Sequence, residues 1–207
     1  MSLKVLGIST SPRLKGNSDL LLREALAGAE SAGAQVEYLR LCDLKIGPCV
    51  ECNCCHTTGR CRLEDDYQMV LDKMLDADRL IFATPVFFMT VCSQAKMLID
   101  RGQCLWARKY VLKKPLFETA RRDRRAMVTA VGGSKSTKQF DSIRLTMKAY
   151  FDVLDINYVA NLFVNKVDVR GAIKKHPSAL KEAFRLGKEL ASADTPLPEK
   201  PTDVELT

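Results

Sequence analysis

Five short apolar runs, each followed by a stretch with helical spacing, set the strongest limit on how this chain folds. The runs are LKVLGIS (3–9), QVEYLRL (35–41), DRLIFATPV (78–86), RAMVTAVGG (125–133) and INYVANLFV (156–164). Helical patterns follow over 17–33, about 65–76, Ser93 to about Ala107, about 138–150 and about 178–192. The first is expected to be capped by Asn17 or Ser18 and stopped by Gly33. On the fourth, Phe140, Ile143, Met147 and Tyr150 share one face; on the last, Leu180, Ala183, Phe184, Gly187 and Leu190 do so. Strands alternating with helices, with most runs too apolar to leave one face in water, predict a doubly wound α/β fold. Its five-stranded parallel sheet carries helices on both faces. One domain over 1–193 accommodates all of it, and the three prolines after Asp194 predict a loose tail over 194–207.

Composition excludes several classes. No run approaches the ~18–20 apolar residues of a membrane span, and the N-terminus lacks a signal-peptide pattern. A cytoplasmic, reducing location is therefore expected, where eight cysteines argue for metal or redox use over a disulfide framework. The net charge of +7 is concentrated. Between Arg101 and Arg125 lie Arg101, Arg108, Lys109, Lys113, Lys114, Arg121, Arg122, Arg124 and Arg125, against only Glu118 and Asp123. This segment reads either as a solvated loop or as a landing site for an anionic partner such as a nucleotide phosphate or an acidic electron-transfer protein. No motif for nucleic acid accompanies it.

Open parallel sheets bind ligands at the carboxyl ends of their strands. Three loops there carry chemistry. STSPRLKGNS offers the hydroxyls of Ser9, Thr10, Ser11 and Ser18, the Arg13 guanidinium, Asn17 and a helix N-terminus, a setting for a phosphate. It lacks the patterns of a triphosphate loop and of a dinucleotide loop, so a single phosphomonoester suits it. TPVFFMT brings Thr84, Pro85, Val86, Phe87, Phe88 and Met89, too apolar for an ordinary loop and suited to a plug, a subunit interface or the wall of a flat ligand. AVGGSKS adds Gly132 and Gly133, where backbone can approach a ligand closely. Together they suit FMN.

The segment CVECNCCHTTGRC holds five of the eight cysteines. Cys49, Cys52, Cys55 and Cys61 are spaced x2, x2, x5, with Cys54 left over. Four thiolates so close can wrap one cubane. Structural zinc more often joins two separated pairs, and unligated thiols are a third reading. Cys42, Cys92 and Cys104 are expected to be small buried residues, His56 to face solvent, and His176 shows no role.

The motifs GISTSPRLKGNS, ADRLIFATPVFFMTVCSQAKMLIDR and VTAVGGS resemble the NADPH-dependent FMN reductases of the flavodoxin-like superfamily, over most of residues 3–190. The cysteine spacing resembles that of the iron–sulfur flavoproteins, a branch of the same group. The resemblance implies that Ser9, Ser11, Arg13, Asn17 and Ser18 hold the FMN phosphate. Thr84 to Met89 would line the ring and ribityl chain, and Gly132 and Gly133 would close over the flavin. It implies a [4Fe–4S] cluster on Cys49, Cys52, Cys55 and Cys61, and ferredoxin or NAD(P)H as electron donor. It also implies a homodimer or homotetramer in which one subunit's cluster faces a neighbour's flavin. The alternatives are a cluster-free NAD(P)H-dependent FMN or quinone reductase and a flavin-binding redox sensor. No catalytic acid, base or nucleophile is evident, and electron transfer needs none.

Overall fold

A computed structural model describes residues 2–119, 121, 123–192 and 195–207. The five apolar runs form β1 (Lys4–Ser9), β2 (Gln35–Arg40), β3 (Arg79–Phe87), β5 (Arg125–Val131) and β6 (Asn157–Val164). Among the described residues the sheet has seven strands, not five. One addition is β4 (Thr90–Val91), a two-residue return of the chain antiparallel to the end of β3. The other is β7 (Thr202–Leu206), which adds parallel to β6. The expected loose tail is thus in part an edge strand; its first residue, Asp194, and the preceding Ala193 lie outside the described residues. The order β2-β1-β3-β5-β6-β7 is that of a doubly wound sheet with its switch point beside β1.

Two cores lie on opposite faces. On one, α1 (Asn17–Ser31) and α7 (Ala179–Leu190) bury Leu21, Leu22, Ala183 and Leu186 against Val5, Ile81 and Leu162. On the other, α3 (Tyr67–Asp76), α4 (Ser93–Arg101) and α6 (Asp141–Val153) bury Val70, Met74, Leu98, Ile143 and Met147 against Leu6, Phe82 and Val128. The expected face of α6 is buried, whereas on α7 Phe184 is exposed and Leu186 takes the inner position. No side chain caps α1: Gly16 occupies its N-cap. His176 caps α7 instead, its Nδ1 accepting the N–H groups of Ser178 and Ala179 at 3.3 and 3.1 Å. The region from Ser93 to Ala107 divides into α4, α5 (Gln103–Trp106) and a π-helical turn over Ala107–Val111. Among the described residues no helix is long and apolar enough to cross a membrane.

The crossing of α1 and α7 depends on two glycines. A Cβ on Gly28 would lie 2.0 Å from the Phe184 carbonyl oxygen, and one on Gly187 would lie 1.9 Å from that of Ala25. Backbone, not a flexible side chain, is in the way. Gly187→Ala is therefore expected to force the helices apart and cost about 1–3 kcal/mol, read as a lowered urea midpoint with an unchanged slope.

The basic segment is not the solvated surface its composition suggests. Arg101, Arg124 and Arg125 are buried, and Arg121 pairs with Asp78 at 2.5 Å. Arg124 donates to the carbonyl oxygens of Ala77, Leu154 and Met74. Arg125 and the buried Arg79 both bind Asp123. Lys109 pairs with Asp152 and Asp155. Arg122 lies outside the described residues. Most of this charge fixes helix ends and loops, so among the described residues a landing site is reduced to Lys113, Lys114 and the half-exposed Arg108.

Candidate flavin and cysteine sites

At the carboxyl edge a cavity of about 60 Å3 is lined by Ser11, Pro12, Arg13, Gly16, Asn17 and Ser18 from the first loop, and by Pro85, Val86 and Phe87 from the end of β3. Val131, Gly133, Val167 and Asp168 complete it. The first turn of α1 has no side-chain cap, and its residues Asn17 and Ser18 line this cavity, where an anion can satisfy their N–H groups.

The first loop is held from two sides. From one, Arg40 donates to the Pro12 carbonyl oxygen at 3.0 Å, and the half-buried Cys42 lies 3.3 Å from that of Ser11. From the other comes the segment after β6. Arg13 donates to the Asp168 carbonyl oxygen at 3.2 Å, and Arg170 to that of Leu14 at 2.6 Å. Asn17 donates to the Val169 carbonyl oxygen and accepts the Ile173 N–H. The Asn17 side chain is thereby committed to a latch, which leaves its backbone N–H for a ligand. Ser11 bonds Arg13 within the loop.

The other expected residues divide clearly. Ser9 is buried and does not line the cavity. Thr10 turns inward: its hydroxyl donates to the Ala83 carbonyl oxygen at 2.9 Å and touches the buried Cys92 at 3.2 Å. The Thr84 hydroxyl bonds the Pro85 carbonyl oxygen and the Cys92 N–H, away from the cavity. Phe88 and Met89 adopt left-handed φ values of 47° and 64° at the tip of the β3–β4 turn, and Phe88 is fully exposed. Gly132 is a packing glycine, since a Cβ there would meet the Gln139 amide at 2.0 Å; Gly133 faces Asp168. The segment Val167–Arg170 was missed in the sequence. It follows β6, whose carboxyl end shares this edge, and that topological rule alone could have found it.

The cysteine loop follows β2. Left-handed φ values at Glu51 (50°) and Asn53 (56°) bend the chain twice, after which α2 (Cys55–Thr58) ends at Gly59 with φ 70°. Cys49, Cys52, Cys55 and Cys61 line one cavity of about 20 Å3, joined by Cys104, Arg101 and Gln103. Cys54 is outside it, 3.8 Å from an Arg62 nitrogen. All eight cysteines are free thiols. Among the described residues, no group of three or more histidine, cysteine or acidic side chains converges on a metal-binding point. A backbone N–H from Cys54 lowers the pKa of the exposed Cys52 thiol, and Arg62 adds to this, while burial raises Cys55 and Cys104. His56 does not simply face solvent; its ring lies 6.0 Å from that of Trp106.

The two cavities share no lining residue. The start of α4 adjoins Cys92, under the first loop, and its far end supplies Arg101. Nine residues at 1.5 Å separate these ends by roughly 13 Å.

A phosphate cradle and apolar strand ends on a doubly wound sheet, with a separate thiol-lined loop, define a flavin-binding class of redox protein. The chain belongs to the NADPH-dependent FMN reductase family, whose model matches residues 3–166. It is 45% identical over 103 residues to an iron–sulfur flavoprotein of Methanocaldococcus jannaschii, covering 50% of this chain and 53% of that one, so the chain matches about half the length of that relative. An iron–sulfur flavoprotein of Archaeoglobus fulgidus is 32% identical over 146 residues, 70% of each chain. The fold is also that of an NAD(P)H:quinone oxidoreductase from Methanothermobacter marburgensis (TM-score 0.71, 18% identity, 95% of this chain and 100% of the other).

Proposed function

We propose that the protein is a cytoplasmic FMN-binding electron-transfer oxidoreductase that also carries a [4Fe–4S] cluster on Cys49, Cys52, Cys55 and Cys61. The observation that carries this reading is the pairing of an uncapped, hydroxyl-bearing cradle at the carboxyl edge with a separate cavity lined by five free cysteines, Cys49, Cys52, Cys55 and Cys61 among them. The donor set, free thiols from Cys49, Cys52, Cys55 and Cys61 lining one cavity, fits a cluster.

In this reading the backbone N–H groups of Asn17–Asp19, with Ser11, Ser18 and Arg13, hold the phosphate. Pro85, Val86 and Phe87 exclude water from one side, and Gly133 lets the chain approach from the other. Bound FMN accepts a hydride or single electrons, and the cluster passes single electrons, so the pair changes the size of the electron packet. Ferredoxin or NAD(P)H is the donor. Phe88 and Met89, exposed at the turn, are covered in a homodimer or homotetramer. The second reading, a cluster-free NAD(P)H-dependent reductase, is favoured by the absence of a converged metal-binding group among the described residues.

Denatured protein is expected to release FMN. Arg13→Ala is expected to weaken FMN binding by about 1–3 kcal/mol, the loss of one charge-assisted hydrogen bond, measured by flavin fluorescence on titration. Release of FAD, or of no flavin, would overturn the flavin reading.

A further inference from the structure

Arg101 is a basic residue with no solvent to serve: its side chain is 0% exposed. A guanidinium has five N–H donors in a rigid fork, and five acceptors surround this one. Nη1 donates to the Gly47 carbonyl oxygen at 3.0 Å and to Asp65 Oδ2 at 2.7 Å. Nη2 donates to the Leu63 carbonyl oxygen at 3.3 Å and to Asp65 Oδ1 at 3.1 Å. Nε donates to the sulfur of Cys61 at 3.1 Å. The group lies 4.5 Å from the Tyr67 ring centroid, and the Tyr67 hydroxyl donates back to the Arg101 carbonyl oxygen at 2.9 Å. Asp65 is fixed in turn by the N–H groups of Gly47 and Tyr67.

Four of the five donors are used in binding both ends of the 47–65 loop. That much a structural arginine would do. The fifth is aimed at a sulfur that walls the cysteine cavity, by a group that cannot rotate without breaking the other four. Asp65 balances the positive charge, so what reaches the sulfur is chiefly a directed N–H. Hydrogen bonds to cluster sulfurs stabilise the more negative, reduced state and raise the reduction potential.

We propose that Arg101 is a positioning residue for the cluster: it presents Cys61 as the fourth ligand and raises the cluster's reduction potential through its Nε–H. The inference rests on the cluster reading above. The step it tunes is the uptake of one electron by the oxidised cluster, supplied in the test by dithionite.

The experiment uses full-length protein reconstituted anaerobically with iron and sulfide, with iron counted per chain and the potential read by EPR during stepwise reduction. Arg101→Lys keeps a positive charge beside Asp65 and lacks the directed Nε–H. Its cluster is expected to show a roughly tenfold lower ratio of reduced to oxidised form at a fixed potential, a shift of about 59 mV for one electron. Asp65→Asn keeps the Nε–H and removes the balancing anion, so its potential is expected to rise. An Arg101→Lys cluster with the wild-type potential overturns the inference while leaving the cluster reading intact. Should Arg101→Lys take up no iron yet retain FMN and cooperative unfolding, Asp65→Asn decides: a raised potential supports the role and an unchanged one refutes it. Wild-type protein that binds FMN but takes up no iron refutes the cluster reading, and the inference with it.

Discussion

Arg124→Ala is expected to be the most destabilising of the single substitutions considered, costing on the order of 3–5 kcal/mol through the buried carbonyl acceptors it leaves unpaired. Arg124 is 1% exposed at the entry to β5. Its three nitrogens reach the carbonyl oxygens of Ala77 (3.1 Å), Leu154 (2.5 Å) and Met74 (2.6 Å), at or near the C-terminal ends of α3 and α6. The last carbonyls of a helix have no intrahelical donor, and buried acceptors left unpaired cost about 1–3 kcal/mol each. One side chain thus closes two helix ends over the amino edge of the sheet. Burial lowers its pKa to about 10, so it remains charged at neutral pH. That depressed value works against the charged form, which places the stabilisation in the donors and not in the charge. Arg124→Lys is expected to recover little, because a single ammonium on a flexible stem cannot match the fixed three-way fork. With ordinary domains stable by only about 5–15 kcal/mol, a thermal midpoint lowered by roughly 10 °C is expected. Calorimetry with an unchanged midpoint would sink this account. It follows that reversing Arg121, Arg124 and Arg125 to Glu would unfold the chain before it could report on a partner.

What the sequence disclosed, and what it hid, has the same physical origin. β1, β3 and β5 were legible because central parallel strands bury both faces, leaving the apolar runs VLGIS, LIFAT and AMVTAV. β7 was not, because TDVEL is an edge strand with Thr202, Asp203 and Glu205 exposed; a short charged strand after three prolines reads as a tail. Arg124 and Arg101 were misread for the opposite reason. Composition records a charge and cannot record that three carbonyl oxygens await Arg124, or four oxygens and a sulfur Arg101. At the flavin edge, the hydroxyls and Arg13 were legible as a phosphate loop because their density exceeds what a turn requires. That Thr10 points inward to Ala83, or that Asn17 is spent on Val169 and Ile173, depends on long-range partners no local pattern contains. Gly132 shows the same limit, since a glycine kept for Gln139 looks identical in sequence to one kept for a ligand.

On the proposed cluster reading, removal of a single ligand cysteine is expected to have a large effect on the cluster, distinguishable from a fold defect because the cysteine and flavin cavities share no lining residue. Cys52→Ser should abolish or distort the EPR signal of the reduced, anaerobically reconstituted protein while FMN content stays unchanged. Cys52 is exposed, and its thiol pKa is lowered by the Cys54 N–H and then by Arg62. Iron takes thiolates, so this lowered pKa favours ligation at Cys52. Cys54→Ser should leave the signal intact, because Cys54 lies outside the cavity. The informative comparison is Cys104→Ser. Cys104 walls the same cavity, yet burial raises its thiol pKa and it lies 3.4 Å from the Tyr67 hydroxyl. A neutral, hydrogen-bonded thiol is a poor ligand, so iron is expected to remain near four per chain in Cys104→Ser and to be lost in Cys61→Ser. The reverse result would make Cys104 the fourth ligand. Retention of four irons in all of these variants would place the cluster elsewhere, and no iron in any, with FMN still bound, would leave a flavin reductase whose cysteine loop serves another purpose.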